Sequence, residues 1–196
     1  MKTRLLPVAF FVSFLLPVQH LRAASDVTVS TAATSGGSFS GGNPNVFTPT
    51  ANSAVANQTT IQTSLNVGTG VTLNTASAAT GNGDFQIAAP IAKTAVVSST
   101  LTLNAVRNLA INAAISTSGG PLPLVVNAGG TISSSASIAS NGGNITLNTA
   151  QPFTLVNLLS AGTGQILIQT GIVESSAAQT VTGNPGDALN LDARIP

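Results

Sequence analysis

Cysteine, tryptophan and tyrosine are absent from these 196 residues, histidine and methionine each occur once, and only 6% of the chain is charged. The missing cysteines exclude a disulfide framework, a thiol nucleophile and thiolate-ligated zinc or iron–sulfur centres. Ordinary soluble domains carry roughly one-quarter charged residues, so this chain offers few groups for acid–base chemistry. Hydrophobic residues nevertheless make up 43%, which excludes a charged disordered tail and collagen. The length suits one domain with a modest core.

The first segment differs from the rest. Lys2 and Arg4 precede an apolar run from Leu5 to Val18, interrupted only by Ser13, and small residues Ala23, Ala24 and Ser25 follow. A basic start, a short apolar stretch and small residues describe a secretory signal peptide, expected over residues 1–24. The run falls short of the roughly 20 apolar residues that span a bilayer. The alternative is an uncleaved N-terminal anchor. Cleavage after Ala24 places the charged Arg22 at the −3 position, a departure from the small residue usual there. Such a cut removes His20 and three bases, leaving Lys93, Arg107 and Arg194 against Asp26, Asp84, Glu174, Asp187 and Asp192, a side-chain charge of −2. Three scattered bases cannot displace the counterions of a nucleic acid, and nucleic acid is excluded as a partner.

Residues 25–60 are rich in Ser, Gly, Thr and Asn and read as an irregular N-terminal cap or leader. Beyond them the chain repeats. Apolar residues open short alternating runs at Ile61, Phe85, Leu109, Ile132 and Leu155, and a second apolar series follows at Val67, Ile91, Ile115 and Ile138, with Ala161 in the fifth repeat. A third begins at Val71, Leu101, Leu124, Ile145, Ile166 and Leu189. Each run in this third series carries a polar residue three places later: Asn74, Asn104, Asn127, Asn148, Gln169 and finally Asp192. Glycines precede several of these runs, as at Gly119/Gly120 and Gly142/Gly143.

Short runs of period 2 bounded by turn residues are strands, and no amphipathic helix is expected after the leader. A repeat of two or three strands without a helix predicts an all-β fold, a right-handed parallel β-solenoid of about five to six coils over residues 61–196. Coils stacked about 4.8 Å apart place equivalent side chains above one another. Inward columns must then be apolar, and stacked like charges repel where stacked amides and hydroxyls can bond. Asn74, Asn104, Asn127, Asn148 and Gln169 are therefore read as an internal, structural amide ladder.

The stretches LNVGTGVTLNTASAATGNGDFQIAAPIAKTA, LTLNAVRNLAINAAISTSGG, LVVNAGGTI and NGGNITLNTA resemble the repeats of filamentous-haemagglutinin-type exoproteins and of β-helical autotransporter passengers of Gram-negative bacteria. The resemblance implies secretion to the outer-membrane surface or beyond, delivery by an outer-membrane transporter, and adhesion to a host-cell or cell-surface receptor. Asn43-Pro44-Asn45-Val46 partly matches a motif of that family's secretion domains; a plain Asn-Pro turn is a sufficient explanation of it. The chain is shorter than typical members, and nothing after Leu189 resembles a membrane barrel. Its last repeat lacks a clear polar cap, which leaves a non-functional fragment of a larger exoprotein, or end-to-end self-association, as readings.

Catalytic constellations are scarce. Gly81-Asn82-Gly83-Asp84 is one copy of a calcium-loop pattern that needs tandem copies. Glycoside hydrolysis needs two carboxyl groups about 5–10 Å apart, and Asp187 with Asp192 is the pair that sequence proximity suggests for a polysaccharide-degrading β-helix enzyme. The outward row Thr72, Thr102, Val125, Thr146, Leu167 and Asn190 is too irregular for an ice-binding face. Lys93 and Arg107 are expected to be exposed, since Lys and Arg are rarely buried unpaired. The expectation is a non-enzymatic surface protein without a cofactor or metal.

Overall fold

The computed structural model describes residues 24–151, 153–155, 158–170, 173–174, 181–183 and 189–193. The expected leader therefore lies outside the described residues except for Ala24, as do Asp187 and Arg194.

The described chain winds as a mostly parallel β-solenoid of about six turns with one helix. Three sheets form its walls. The first contains β1 (Asp26–Ser30), β4 (Ser53–Asn57), β6 (Phe85–Ile87), β9 (Leu109–Ile111), β12 (Ile132–Ser134), β15 (Phe153–Leu155) and β18 (Val173–Glu174). The second contains β7 (Ile91–Lys93), β10 (Ile115–Thr117), β13 (Ile138–Ala139), β16 (Leu159–Gly162) and β19 (Val181–Gly183). The third contains β2 (Gly37–Phe39), β3 (Asn45–Pro49), β5 (Val71–Asn74), β8 (Leu101–Ala105), β11 (Leu124–Ala128), β14 (Ile145–Thr149), β17 (Ile166–Thr170) and β20 (Leu189–Ala193).

Register follows the hydrophobic columns. On the third sheet Val71, Leu101, Leu124, Ile145, Ile166 and Leu189 pair in succession. The first five of these side chains are buried. On the first sheet Phe85, Leu109 and Ile132 stack as the spacing predicts, but the next member is Phe153, not Leu155. On the second, Ile91, Ile115 and Ile138 continue into Leu159, not Ala161. The interval from Ile138 to Ile145 is two residues shorter than that from Ile115 to Leu124, which moves both columns while keeping their inward face apolar.

Inward polar side chains sit mainly near the corners, where they close turns. Thr75 Oγ1 donates to the Gly83 carbonyl at 3.2 Å, Ser134 Oγ to Ala136 at 2.8 Å, and Ser140 Oγ to Gly143. Lys93 corrects the sequence reading: it is fully buried. Its Nζ donates to the carbonyls of Ala95 at 2.6 Å and Gly120 at 3.0 Å, and burial pushes its pKa below the ordinary lysine value. At the same corner the coils approach so closely that a β-carbon on Gly120 would lie 1.7 Å from the Val96 carbonyl oxygen. Glycine is required there by contact, not by backbone angle.

The N-terminal region is not irregular. Its residues form β1 to β4 and then α1 (Gln58–Asn66), the helix that the repeat pattern missed. Ile61 and Leu65 lie one turn apart on α1 and are fully buried, whereas Val67, aligned by spacing with Ile91, is the exposed C-cap. Asn57 supplies the N-cap, accepting from Thr60 N at 3.0 Å. The helix packs against β7 and closes the start of the second sheet. β4 closes the first sheet, and β2, antiparallel to β3, closes the third. Strand β1 comes first in the chain yet lies between β4 and β6.

Candidate functional site

The outer surface offers three places where polar groups gather. On the third sheet, Asn104 Nδ2 donates to Asn74 Oδ1, Asn127 to Asn104 and Asn148 to Asn127, each at 2.8 Å. Alternation along each strand places these amides on the outward, half-buried face and not inside the coil. They bond to one another and not to turn backbone. Gln169 lies in register with Asn148, yet Asn148 Oδ1 has no hydrogen-bond partner. The glutamine amide sits one methylene farther from its backbone than asparagine's, and the chain of amide bonds stops. Beside the amides runs the row Thr72, Thr102, Val125, Thr146 and Leu167, also half-buried and in register. Neither row carries a charge among these residues.

A second place lies on the first sheet, in a groove of about 320 Å3 lined by Asp26, Thr28, Asp84, Gln86, Asn108 and Ser133. Here the fold joins carboxylates that are 58 positions apart in the chain, a pair that sequence proximity could not reveal. Asp26 Oδ1 accepts from Asn82 N at 3.1 Å and Asp84 N at 3.0 Å. Asp84 receives Arg107 through both Nε, at 2.6 Å, and Nη2. The guanidinium holds the Asp84 carboxyl below its usual range, and Asp84 raises Arg107 in return. Arg107 is exposed as expected, but paired.

These contacts belong to a staircase. A residue at or just ahead of the start of successive first-sheet strands uses a side-chain oxygen to accept the next coil's amide: Asp26 from Asp84, Asp84 from Asn108 at 3.3 Å, and Asn108 from Thr131 at 3.0 Å. Asp84 thus works as a turn staple, and Gly81–Asp84 forms a clasp around the start of β1. Among the described residues no group of three or more His, Cys, Asp or Glu side chains is placed to hold a metal ion. A general acid needs a carboxyl group held protonated near neutral pH; the arginine pushes Asp84 the other way.

The third place is a groove of about 390 Å3 beside α1, lined by Asn43, Pro44, Gly68, Gly70, Thr72 and residues 98–100. Asn43 Oδ1 accepts from Gly70 N at 3.1 Å. Asn45 is buried; its Oδ1 accepts from Gly41 N at 2.8 Å and its Nδ2 donates to Ser64 Oγ at 2.9 Å. The Asn-Pro-Asn triplet therefore ties the hairpin of β2 and β3 to α1 and to the next coil. Exposed Val67, Val96 and Val97 stand near this end.

Asp192 lies in register with Gln169 on β20, while its sequence-suggested partner Asp187 lies outside the described residues. Comparison of the chain with protein-family models, with curated proteins and with solved structures finds no match.

Proposed function

We propose that this is an exported bacterial surface protein, a right-handed β-helical repeat segment of a haemagglutinin-like adhesin, acting through contacts along its outer walls and not through catalysis. The right hand follows from the twist preference of parallel crossover connections. The observation that carries the reading is the outer face of the third sheet, where an uncharged amide row and a row of threonines interrupted by Val125 and Leu167 continue in register over successive coils. Such a face presents repeated hydrogen-bonding groups to a cell-surface receptor. The resemblance to secreted β-helical exoproteins supports export and delivery through an outer-membrane transporter. The occupied carboxylates of the Asp26–Asp84 groove speak against a polysaccharide-cleaving role.

The test is adhesion. Purified protein, or cells displaying it, should bind host cells or aggregate, and Val125→Lys in the centre of the third sheet's outer face should abolish this while preserving the circular-dichroism spectrum. No adhesion by folded protein, or cleavage of a polysaccharide, overturns the proposal.

A further inference from the structure

We propose that the exported chain is cut between Ala23 and Ala24, so that Ala24 is the first residue of the folded protein. The assignment rests on the export reading above and moves the cut one bond upstream of the position that small-residue composition first suggests. Ala24 is fully buried. Its N donates to the Ala79 carbonyl at 2.8 Å, and its own carbonyl accepts from Gly81 N at 2.7 Å. A β-carbon placed on Gly83 would meet the Ala24 methyl at 2.9 Å. Ser25, also fully buried, donates from N to the Thr75 carbonyl at 2.7 Å and shares a 2.8 Å hydroxyl contact with Ser77. Asp26 completes the attachment through Asn82 and Asp84.

Three peptide bonds leave a small residue on their N-terminal side, as a signal peptidase requires. Hydrolysis after Ser25 would give a small residue at −3 as well, but would discard Ala24 and Ser25, both fully buried, with their contacts to Ala79, Gly81, Thr75 and Ser77. Hydrolysis after Ala24 discards Ala24 and places the charged Arg22 at −3. Hydrolysis after Ala23 keeps both residues and places the uncharged Leu21 at −3. In that step water adds to the Ala23 carbonyl carbon, the Ala23–Ala24 C–N bond breaks, and Ala23 leaves as a carboxylate. Both protons of the water go to the nitrogen, and the resulting α-ammonium of Ala24 can still donate to the Ala79 carbonyl, so the cut conserves the attachment. The same attachment accounts for the long interval of 30 residues between Val71 and Leu101: the extra chain in residues 75–83 is the clasp that receives residues 24–26.

The experiment is to express the full chain with its own leader in a Gram-negative host and to recover the protein beyond the inner membrane. Intact mass and N-terminal sequencing should give Ala24 as the first residue of the dominant species. A first residue of Ser25, Asp26 or any other position overturns the cut-site assignment while leaving export intact. An uncut, membrane-held chain overturns both. In the exported protein the Gly81 amide should exchange with solvent as slowly as the strand amides of β8; exchange at exposed-loop rates shows an empty clasp and overturns the argument from burial.

Discussion

The coils from Leu101 to Thr170 and the end built from residues 24–74 solve the same problem by different means. In the coils each strand finds its neighbour one repeat away, and equivalent residues meet in columns. At the N-terminal end, among the described residues, three different devices stand where a preceding coil would: an added strand, an antiparallel hairpin and a helix. The coils are held by repetition, the end by individual side chains such as Asn45, Asn57 and Asp26. Solenoids need such an end because a bare coil leaves apolar surface and strand edges open. Repetition tolerates drift in any one rung; a unique contact has no second copy.

The largest effects should come from the core, where the two regions can be compared directly. Leu103→Ala, in a middle coil, and Ile61→Ala, on α1, each remove a fully buried side chain and should cost about 2–5 kcal/mol. Urea unfolding followed by circular dichroism should show one shared transition shifted by either change. Early loss of α1 in Ile61→Ala, with coil strands still protected from hydrogen exchange, would instead show that end and coils unfold separately. Gly120→Ala tests the close approach of coils at the Lys93 corner. Backbone must shift to admit the methyl, and a loss of about 1–3 kcal/mol is expected for such overpacking.

The amide rows offer a finer comparison within the coils. Asn127→Ala breaks two rungs and Asn74→Ala one, so the interior change should be the more destabilising, at about 1 kcal/mol per lost bond. Equal losses would show that the amides do not act as a connected chain.

Titration separates the buried cation from the exposed pair. Burial lowers the Lys93 pKa relative to the unfolded chain, so its charged form opposes folding. The penalty is relieved as pH rises from the folded pKa towards the ordinary lysine value near 10.5, and stability should climb in that window. Lys93→Met should remove the climb, read from urea midpoints across alkaline pH. Asp84 has the opposite sense. Its contribution is present above the unfolded value of 3.8 and lost as pH falls through the lowered folded pKa. The Arg107 pair is exposed, so Arg107→Ala should give the smallest change of the set, a slight flattening of the acid limb.

What could be read from sequence was what repeats. The third-sheet column and its amides were legible because Leu101-Thr-Leu-Asn and Ile145-Thr-Leu-Asn recur with little variation. The helix was hidden because α1 shows only Ile61 and Leu65 as buried apolar residues in a Thr- and Gln-rich stretch, and Ile61 happens to match the strand spacing. The Asp26–Asp84 contact joins distant positions through a strand inserted out of chain order, which no local pattern encodes. Lys93 was misread because its partners are backbone carbonyls, invisible in a search for opposite charges.

The place of β1 also constrains the order in which the molecule can be completed. A ribosome or a membrane channel delivers this strand first, but its two neighbours arrive only with Ser53–Asn57 and Phe85–Ile87. Until then its edges are open on both sides, and closing them requires a long loop with its entropic cost. A coil such as β11 waits only for the next repeat. Nucleation is thus cheapest in the middle of the rod, and the first residues to emerge are among the last that can be locked in place.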